Sequence, residues 1–317
     1  MLDVFHTPQG SMVDKQTFFG TNAATGVGWQ VWNKPRGKTM AHIILVGCGG
    51  NGGSGAIGAN STAAGGGGGG SGSQCSLTVP IHLLPDCLFL SLPGPGVGGA
   101  AVSYISLIPN ISVNNHLLTA KGGSNGGNAS GATAGAAGTA GVKTVIGDCP
   151  IAAIGNIGPV AAVNDVGLAG QAGIIGGVAV AGGALTLPVT GLIVTGGTGG
   201  GGLPAAAATG TNGGGFTVPA APSFFPPHLG GVGSATATNP AASGNPGFFG
   251  VKGFSYSYGG TGGASTHGTA TGGGLVQSNG GNGGPGCGGG GSGGALTGST
   301  AGQVGKGGAA FCIITCW

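Results

Sequence analysis

Side chains able to do chemistry are few and scattered along this chain. Its five acids are all aspartates, Asp3, Asp14, Asp86, Asp148 and Asp165, and it has no glutamate. Glycoside cleavage needs two carboxylates flanking one bond, and these five stand far apart in sequence. Seven cysteines, at 48, 75, 87, 149, 287, 312 and 316, include no C-x-x-C pair. Their odd number suits a reducing compartment in which Cys acts as a small buried hydrophobe. On a strand, Cys312 and Cys316 share a face but stand about 13 Å apart, beyond disulfide reach. The six histidines and seven cysteines show none of the ligand spacings of a zinc site. Neither a metal nor a cofactor is expected.

Three enzyme motifs occur through composition. Gly47-x-Gly49-x-x-Gly52 follows an apolar run, as a dinucleotide fingerprint does, but a helix and an acid about 20 residues on should come next. Residues 65–70 are instead six glycines. Gly37-Lys38-Thr39 has the ending of a phosphate-binding loop, yet Trp32 stands where its first glycine belongs. Gly290-x-Ser292-x-Gly294 has the nucleophile-elbow spacing but no strand before it. The sequons at Asn60, Asn110 and Asn128 read as chance matches, since the start of the chain lacks the basic-then-apolar pattern of a secretory leader. The chain is read as non-enzymatic.

The elements that would position any site are set by glycine. Of 317 residues 83 are Gly, 40% are hydrophobic and only 4% are charged. Interior glycine costs a helix about 1 kcal/mol against alanine, so α-helix is nearly excluded. Disordered chains are charged and poor in aliphatics, which this one is not. A net charge of +3 is too dilute for a nucleic-acid groove, so no nucleic-acid partner is expected. The one basic cluster, Lys34, Arg36 and Lys38, reads as a solvated turn. The uncharged stretch 166–195 is too glycine-rich and lacks the aromatic and basic flanks of a membrane span.

Along the chain, residues 1–37 form a lead-in of ordinary composition in which Trp29 and Trp32 supply core bulk. The glycine-rich body runs from 38 to 317. Met40 to Val46 is a strand feeding glycine, and 272–317 reverses that order, with a glycine block entering the strand 311–317. Residues 75–118 read as a conventional β segment with turns at Pro80, Pro85, Pro93 and Pro109-Asn110. Aromatics return at 216–258 in segments rich in Pro, Asn and Gly. Phe224, Phe225, His228, Phe248, Phe249, Tyr256 and Tyr258 are the candidates for contact with a partner, through loops that project from the body.

Two stretches have period three. Small residues occupy 120, 123, 126, 129, 132, 135, 138 and 141, and a second register of small residues and Asn164 runs from 155 to 182. Neither helix nor strand has this period, but the extended left-handed helix of the polyproline II type does, with three residues per turn. Small residues on one edge let a second backbone approach and pair its N–H and C=O groups. Breaks near Pro159 and Gly176-Gly177 fold the chain into short rods. The expected fold is mainly β plus irregular structure: short strands with packed polyglycine-II-type left-handed extended helices and little or no α-helix.

The run Trp32-Asn33-Lys34-Pro35-Arg36-Gly37, the strand Ile43-Ile44-Leu45-Val46 and Gly47-Cys48-Gly49-Gly50-Asn51-Gly52-Gly53 together resemble the glycine-rich structural proteins of tailed bacteriophages. The ending, Gly283-Gly284-Pro285-Gly286 through Gly307-Gly308 to Trp317, is similar to them as well. By motif the resemblance covers about 29–53 and 272–317. It implies a lattice of polyglycine II helices whose connecting loops recognise a host surface, as in tail-tip adhesins. The β segment 75–118 and the N-terminal lead-in depart from those adhesins. The expectation is a virion-located structural protein, a fibre, spike or surface protein. It would be a homo-oligomer that meets other virion proteins, and a host cell-surface receptor through its aromatic loops. The alternative is a cellular glycine-rich surface or cell-wall matrix protein.

Overall fold

The computed structural model describes residues 13–21, 28–59, 61–99, 101–112, 115–141, 161–165, 167–178, 180–186, 194–205, 209–217, 229–235, 241–247, 249–250, 256–257, 259–266, 278–300 and 302–317. These residues are strands and irregular structure, with one 3-10 turn at Ile81–Leu83 and no α-helix among them. The strands are β1 (Asp14–Phe19), β2 (Gln30–Asn33), β3 (Met40–Val46), β4 (Ile57–Gly58), β5 (Gln74–Pro80), β6 (Cys87–Ser91), β7 (Val102–Ser106), β8 (His116–Lys121), β9 (Ala161–Asp165), β10 (Leu185–Thr186), β11 (Phe216–Thr217), β12 (Phe249–Gly250), β13 (Tyr256–Ser257), β14 (Ala295–Leu296) and β15 (Phe311–Cys316).

Two antiparallel sheets form a sandwich, one in the order β1-β15-β3-β5-β9 and the other β2-β6-β7-β8. Alternation in the strands sets the faces. In β5, Cys75, Leu77 and Val79 are buried while Gln74, Ser76 and Thr78 are only half-buried. The inward set joins Ile43, Leu45 and Ile314 of the same sheet with Trp32, Leu88, Leu90 and Ile105 of the other. Full burial of each large aliphatic side chain stabilises by roughly 1.5–3 kcal/mol. The expected segment 75–118 thus serves two sheets. The proline-bounded turn after β5 hands the chain from the first sheet to the second, where β6, β7 and β8 pair in succession. β1 pairs along its length with β15, and β2 with β6. β15 is buried on both faces, since Phe311 and Ile313 pack on Val46, Val194 and Cys287 rather than into the sandwich.

From one edge of this sandwich the chain continues as straight glycine-rich rods, and they inherit the register of the strands. Val46 of β3 pairs with Gln74 of β5. Beyond the sheet, Gly47 donates its N–H to the carbonyl of Ser73, Gly50 to Gly70, Gly53 to Gly67 and Ala56 to Ala64. Phe311 of β15 pairs with Val46, and the next bonds run from Gly49 to Gly308 and from Gly52 to Gly305. Gln74 pairs with Asp165 of β9, followed by Ser71 to Leu168, Gly68 to Gln171 and Gly65 to Ile174. In each case the residue pairing is unshifted and only the repeat changes, from alternate residues to every third.

Rod 63–73 is buried throughout and its period of three addresses three directions. N–H groups at 65, 68 and 71 go to rod 168–174, those at 66, 69 and 72 to rod 286–292, and those at 67, 70 and 73 to rod 121–127. Its carbonyls accept from three others: 64, 67, 70 and 73 from rod 47–56; 65, 68 and 71 from rod 135–141; and 63, 66 and 69 from rod 197–203. Rod 286–294 does likewise, donating toward 195–201, 50–56 and 278–281 and accepting from 66–72, 260–266 and 305–308. Packing at this distance leaves no room for side chains. A Cβ on any residue from Gly65 to Gly70 would stand within 3.0 Å of a neighbouring rod's carbonyl oxygen.

Where a rod carries something other than Gly or Ala, short polar side chains supply acceptors that a carbonyl does not. Ser71 Oγ accepts the N–H of Leu168 at 2.7 Å, Thr198 Oγ1 that of Gly262 at 2.8 Å and Ser265 Oγ that of Thr211 at 2.7 Å. At the lattice surface asparagine forms a two-point clasp. Gly280 donates to the carbonyl of Gln303 while Asn279 Oδ1 accepts the Gln303 N–H, and Gly283 with Asn282 does the same to Lys306. Asn125-Gly126 grips Asn51 in this way.

The triplet registers are partly interrupted. The first turns back at Ser130–Thr133, which bridge to each other. In the second, Ala161 and Asn164 lie on β9, a pleated strand paired with β5, because sheet pairing overrides the local repeat there. Gly155 and Gly158 lie outside the described residues. The expected break at Gly176-Gly177 is a turn in which Gly177 takes φ +85°. A Cβ at Gly170 would meet the carbonyl of Gly68 and one at Gly173 that of Gly65, whereas Gln171 is half-buried between them. Gly170→Val and Gly173→Val are therefore expected to destabilise by about 2 kcal/mol or more, and Gln171→Val by under about 0.5 kcal/mol. Thermal melts of the three variants decide this, and equal melting points would contradict the close-packed edge.

Candidate functional site

Rods run out from the sandwich and back, so the structure has a junction end and a far end. Val194 and Cys287 pack on Val46 and Phe311, which marks the junction. The far end carries the parallel pair β4 and β14, with Ile57 opposite Ala295, and the turns near Ser61, Gly131, Gly177 and Gly298, each with positive φ.

Of the aromatic candidates, Phe249 and Tyr256 lie on the antiparallel pair β12–β13, where Phe249 faces Ser257 and Gly250 faces Tyr256. Phe224, Phe225, His228, Phe248 and Tyr258 lie outside the described residues. The ribbon is tied to the junction end. Ser257 is buried, Gly259 donates its N–H to Thr195 Oγ1 at 2.8 Å, and Thr195 donates to Cys287 Sγ at 3.2 Å. β11, which precedes segment 218–228, ends at the same level: Leu185 pairs with Phe216, and the hydroxyls of Thr186 and Thr217 meet at 3.0 Å. The two aromatic segments thus start from rod ends facing the sandwich.

Of the six cysteines among the described residues, five are withdrawn from solvent and Cys87 is half-buried. Among the described residues no three His, Cys, Asp or Glu side chains gather where a metal could be held, and Cys48, Cys75, Cys287, Cys312 and Cys316 are buried. Burial pushes the thiol of Cys48 up to about 11 and that of Cys287 up to about 12, and raises Cys312 further. A thiol held protonated is neither nucleophile nor ligand. His42, whose Nδ1 lies 2.8 Å from Thr78 Oγ1, and His116, stacked 4.4 Å from Tyr104, have pKa values lowered by loss of solvent. Both favour the neutral ring.

Two surface depressions are lined by described residues. One, of about 520 Å³, lies where the sandwich loop at Pro95-Gly96 meets the lattice, beside Asn51, Gln303 and Lys306. The other, of about 560 Å³, is at the sandwich pole away from the rods and is lined by Lys34, Pro35, Arg36, Lys38, Ile81 and His82 among others. The basic turn expected at 34–38 therefore forms a wall. Gly37, at φ +74°, lets the chain reverse from β2 to β3. His82 joins the wall from the 3-10 turn after β5, a contribution no local motif announces. Among the described residues no helix is long and apolar enough to cross a membrane.

The sequence matches no protein-family model and no curated protein.

Raised thiol pKa values and lowered histidine pKa values set the pH range of stability. Thiols raised in the folded state stabilise fully below their unfolded value, and that contribution is lost as pH climbs from about 9 toward 12. The neutral histidines stabilise above the ordinary imidazole value of 6.5, and their contribution is lost as pH falls below it. Melting temperature should be highest between these limits. At pH 8 iodoacetamide should leave Cys48 and Cys287 unmodified until denaturant is added. Alkylation of either in the folded protein, read by mass spectrometry, would contradict their burial.

Proposed function

We propose that the chain is a non-enzymatic structural protein of a phage virion, in which a rod lattice of polyglycine-II-type left-handed helices forms a stiff body. The observation that carries this reading is rod 63–73, whose backbone bonds to six neighbouring rods with a repeat of three. A strand repeats every two residues and bonds in one plane. A threefold extended helix sends N–H groups in three directions, 120° apart, and admits a neighbour in each. Such a body offers a protease few side chains to recognise and carries few charges. It suits a fibre, spike or surface protein that must persist outside a cell.

Within this reading the aromatic segments 224–228 and 248–258 are the surfaces offered to a partner, either a receptor on the host or another virion protein, and the chain works as a homo-oligomer. The described residues that flank them, Phe216-Thr217 and Gly259, lie toward the junction end and not at the far turns. The second reading, a cellular glycine-rich matrix protein, rests on the same stiff body.

Two measurements test the proposal. Crystallographic dihedrals in rods 63–73 and 286–294 are expected near φ −75° and ψ +145°, and a twofold pleat there would remove the lattice. Proteomics of purified particles is expected to recover the chain beside tail or head components. Recovery only from a cell-wall fraction would favour the matrix protein.

A further inference from the structure

Charge in this molecule is rare enough that its placement carries information. Only eight of 317 residues are Lys or Arg, yet three of them, with His82, line the depression at the sandwich pole. Lys15 stands on β1, Lys121 ends β8, and Lys306 lies in the lattice-side depression.

Asp86, the one acid among the described lining residues, pairs with Lys34 at 3.1 Å, and Lys34 Nζ also donates to the carbonyl of Leu84 at 2.8 Å. That side chain is fixed before any ligand arrives. Arg36 is exposed on the same wall and has no ion-pair partner among the described residues. Pro35 and the side of Ile81 supply apolar surface between the charges. A cavity of about 560 Å³ has the size of a small-molecule site.

We propose that this depression binds a phosphate monoester of sugar-phosphate size. A guanidinium presents parallel N–H groups to two phosphate oxygens, and a lysine adds a point charge. Arg36 takes the phosphate, Lys34, Lys38 and His82 bound the hollow with positive charge, and the sugar ring lies against Pro35 and Ile81. A nucleic-acid strand is a poorer fit, because it requires basic groups repeated along a track, and here they converge on one hollow. The ligand could reach the site as a free sugar phosphate or as a phosphorylated residue of a surface glycan, since the same group is read in both.

Calorimetric titration of the full chain with glucose 6-phosphate, with glucose as the neutral control, tests the site. One saturable site is expected for the phosphate and none for glucose, with inorganic phosphate competing. Arg36→Gln, an exposed change whose folding is checked by its melt, should weaken binding about tenfold or more, and Lys306→Gln should not. A phosphorylated glycan fragment should bind at least as well as glucose 6-phosphate if a glycan is the source, and less well if the free sugar phosphate is. No binding at about 10 mM, equal binding of glucose, or equal loss in the Arg36 and Lys306 variants would overturn the proposal.

Discussion

Everything in this molecule depends on backbone groups satisfying one another without side chains between them. An unpaired buried N–H or C=O costs about 1–3 kcal/mol, and the rods bury them by the dozen. The cost is avoided because rods 63–73 and 286–294 send their N–H groups in three directions at carbonyls of adjacent rods, and outer rods such as 47–56 complete the set with asparagine side chains. Glycine is then an obligatory spacer: a methyl group on Gly67 or Gly197 would overlap a neighbour's carbonyl.

The sandwich supplies what a lattice of nearly identical rods lacks, which is a register. Glycine rods can slide past one another at little cost, since no side chain distinguishes one triplet from the next. In β3, β5 and β15 the side chains do distinguish positions, with Leu45, Leu77 and Ile314 directed into one core. The pairing they enforce runs unbroken into rods 47–56, 63–73 and 305–308. Asparagine and hydroxyl side chains then close the faces that have no carbonyl to offer. This division also explains the chemistry. Buried thiols and neutral histidines sit in or beside the sandwich, while the charged residues described lie on its surface and at a few lattice positions.

Part of this was legible in the residues. Glycine's helix penalty ruled out α-helix as the main element, the apolar run at 40–46 marked a strand feeding a rod, and the triplets at 123, 126, 135, 138, 167, 170 and 173 fall on close-packed edges. Other features were hidden because they join distant segments. Ala161 and Asn164 fit a triplet by spacing but belong to a pleated strand, since β5 offered them an edge to pair with. The Asn-Gly clasps had a visible dipeptide signal, but its meaning needed the neighbouring rod. Of the seven aromatic candidates only Phe249 and Tyr256 lie among the described residues, on a ribbon that no periodicity foretold.

The residues alone decided that the chain would be extended, poor in charge and closely packed, because glycine at this density permits little else. They also decided where the strand 40–46 gives way to a rod, at Gly47. Which rod meets which, and in which direction, was settled only in three dimensions. Rods 194–203 and 286–294 lie parallel while 47–56 and 63–73 lie antiparallel, and no local sequence records the choice. It follows from the order of strands in the sheet and from turns that return each rod to it. The basic hollow has the same origin: β2, β3 and the turn after β5 meet at one pole, and His82 is brought to Arg36 by that crossing.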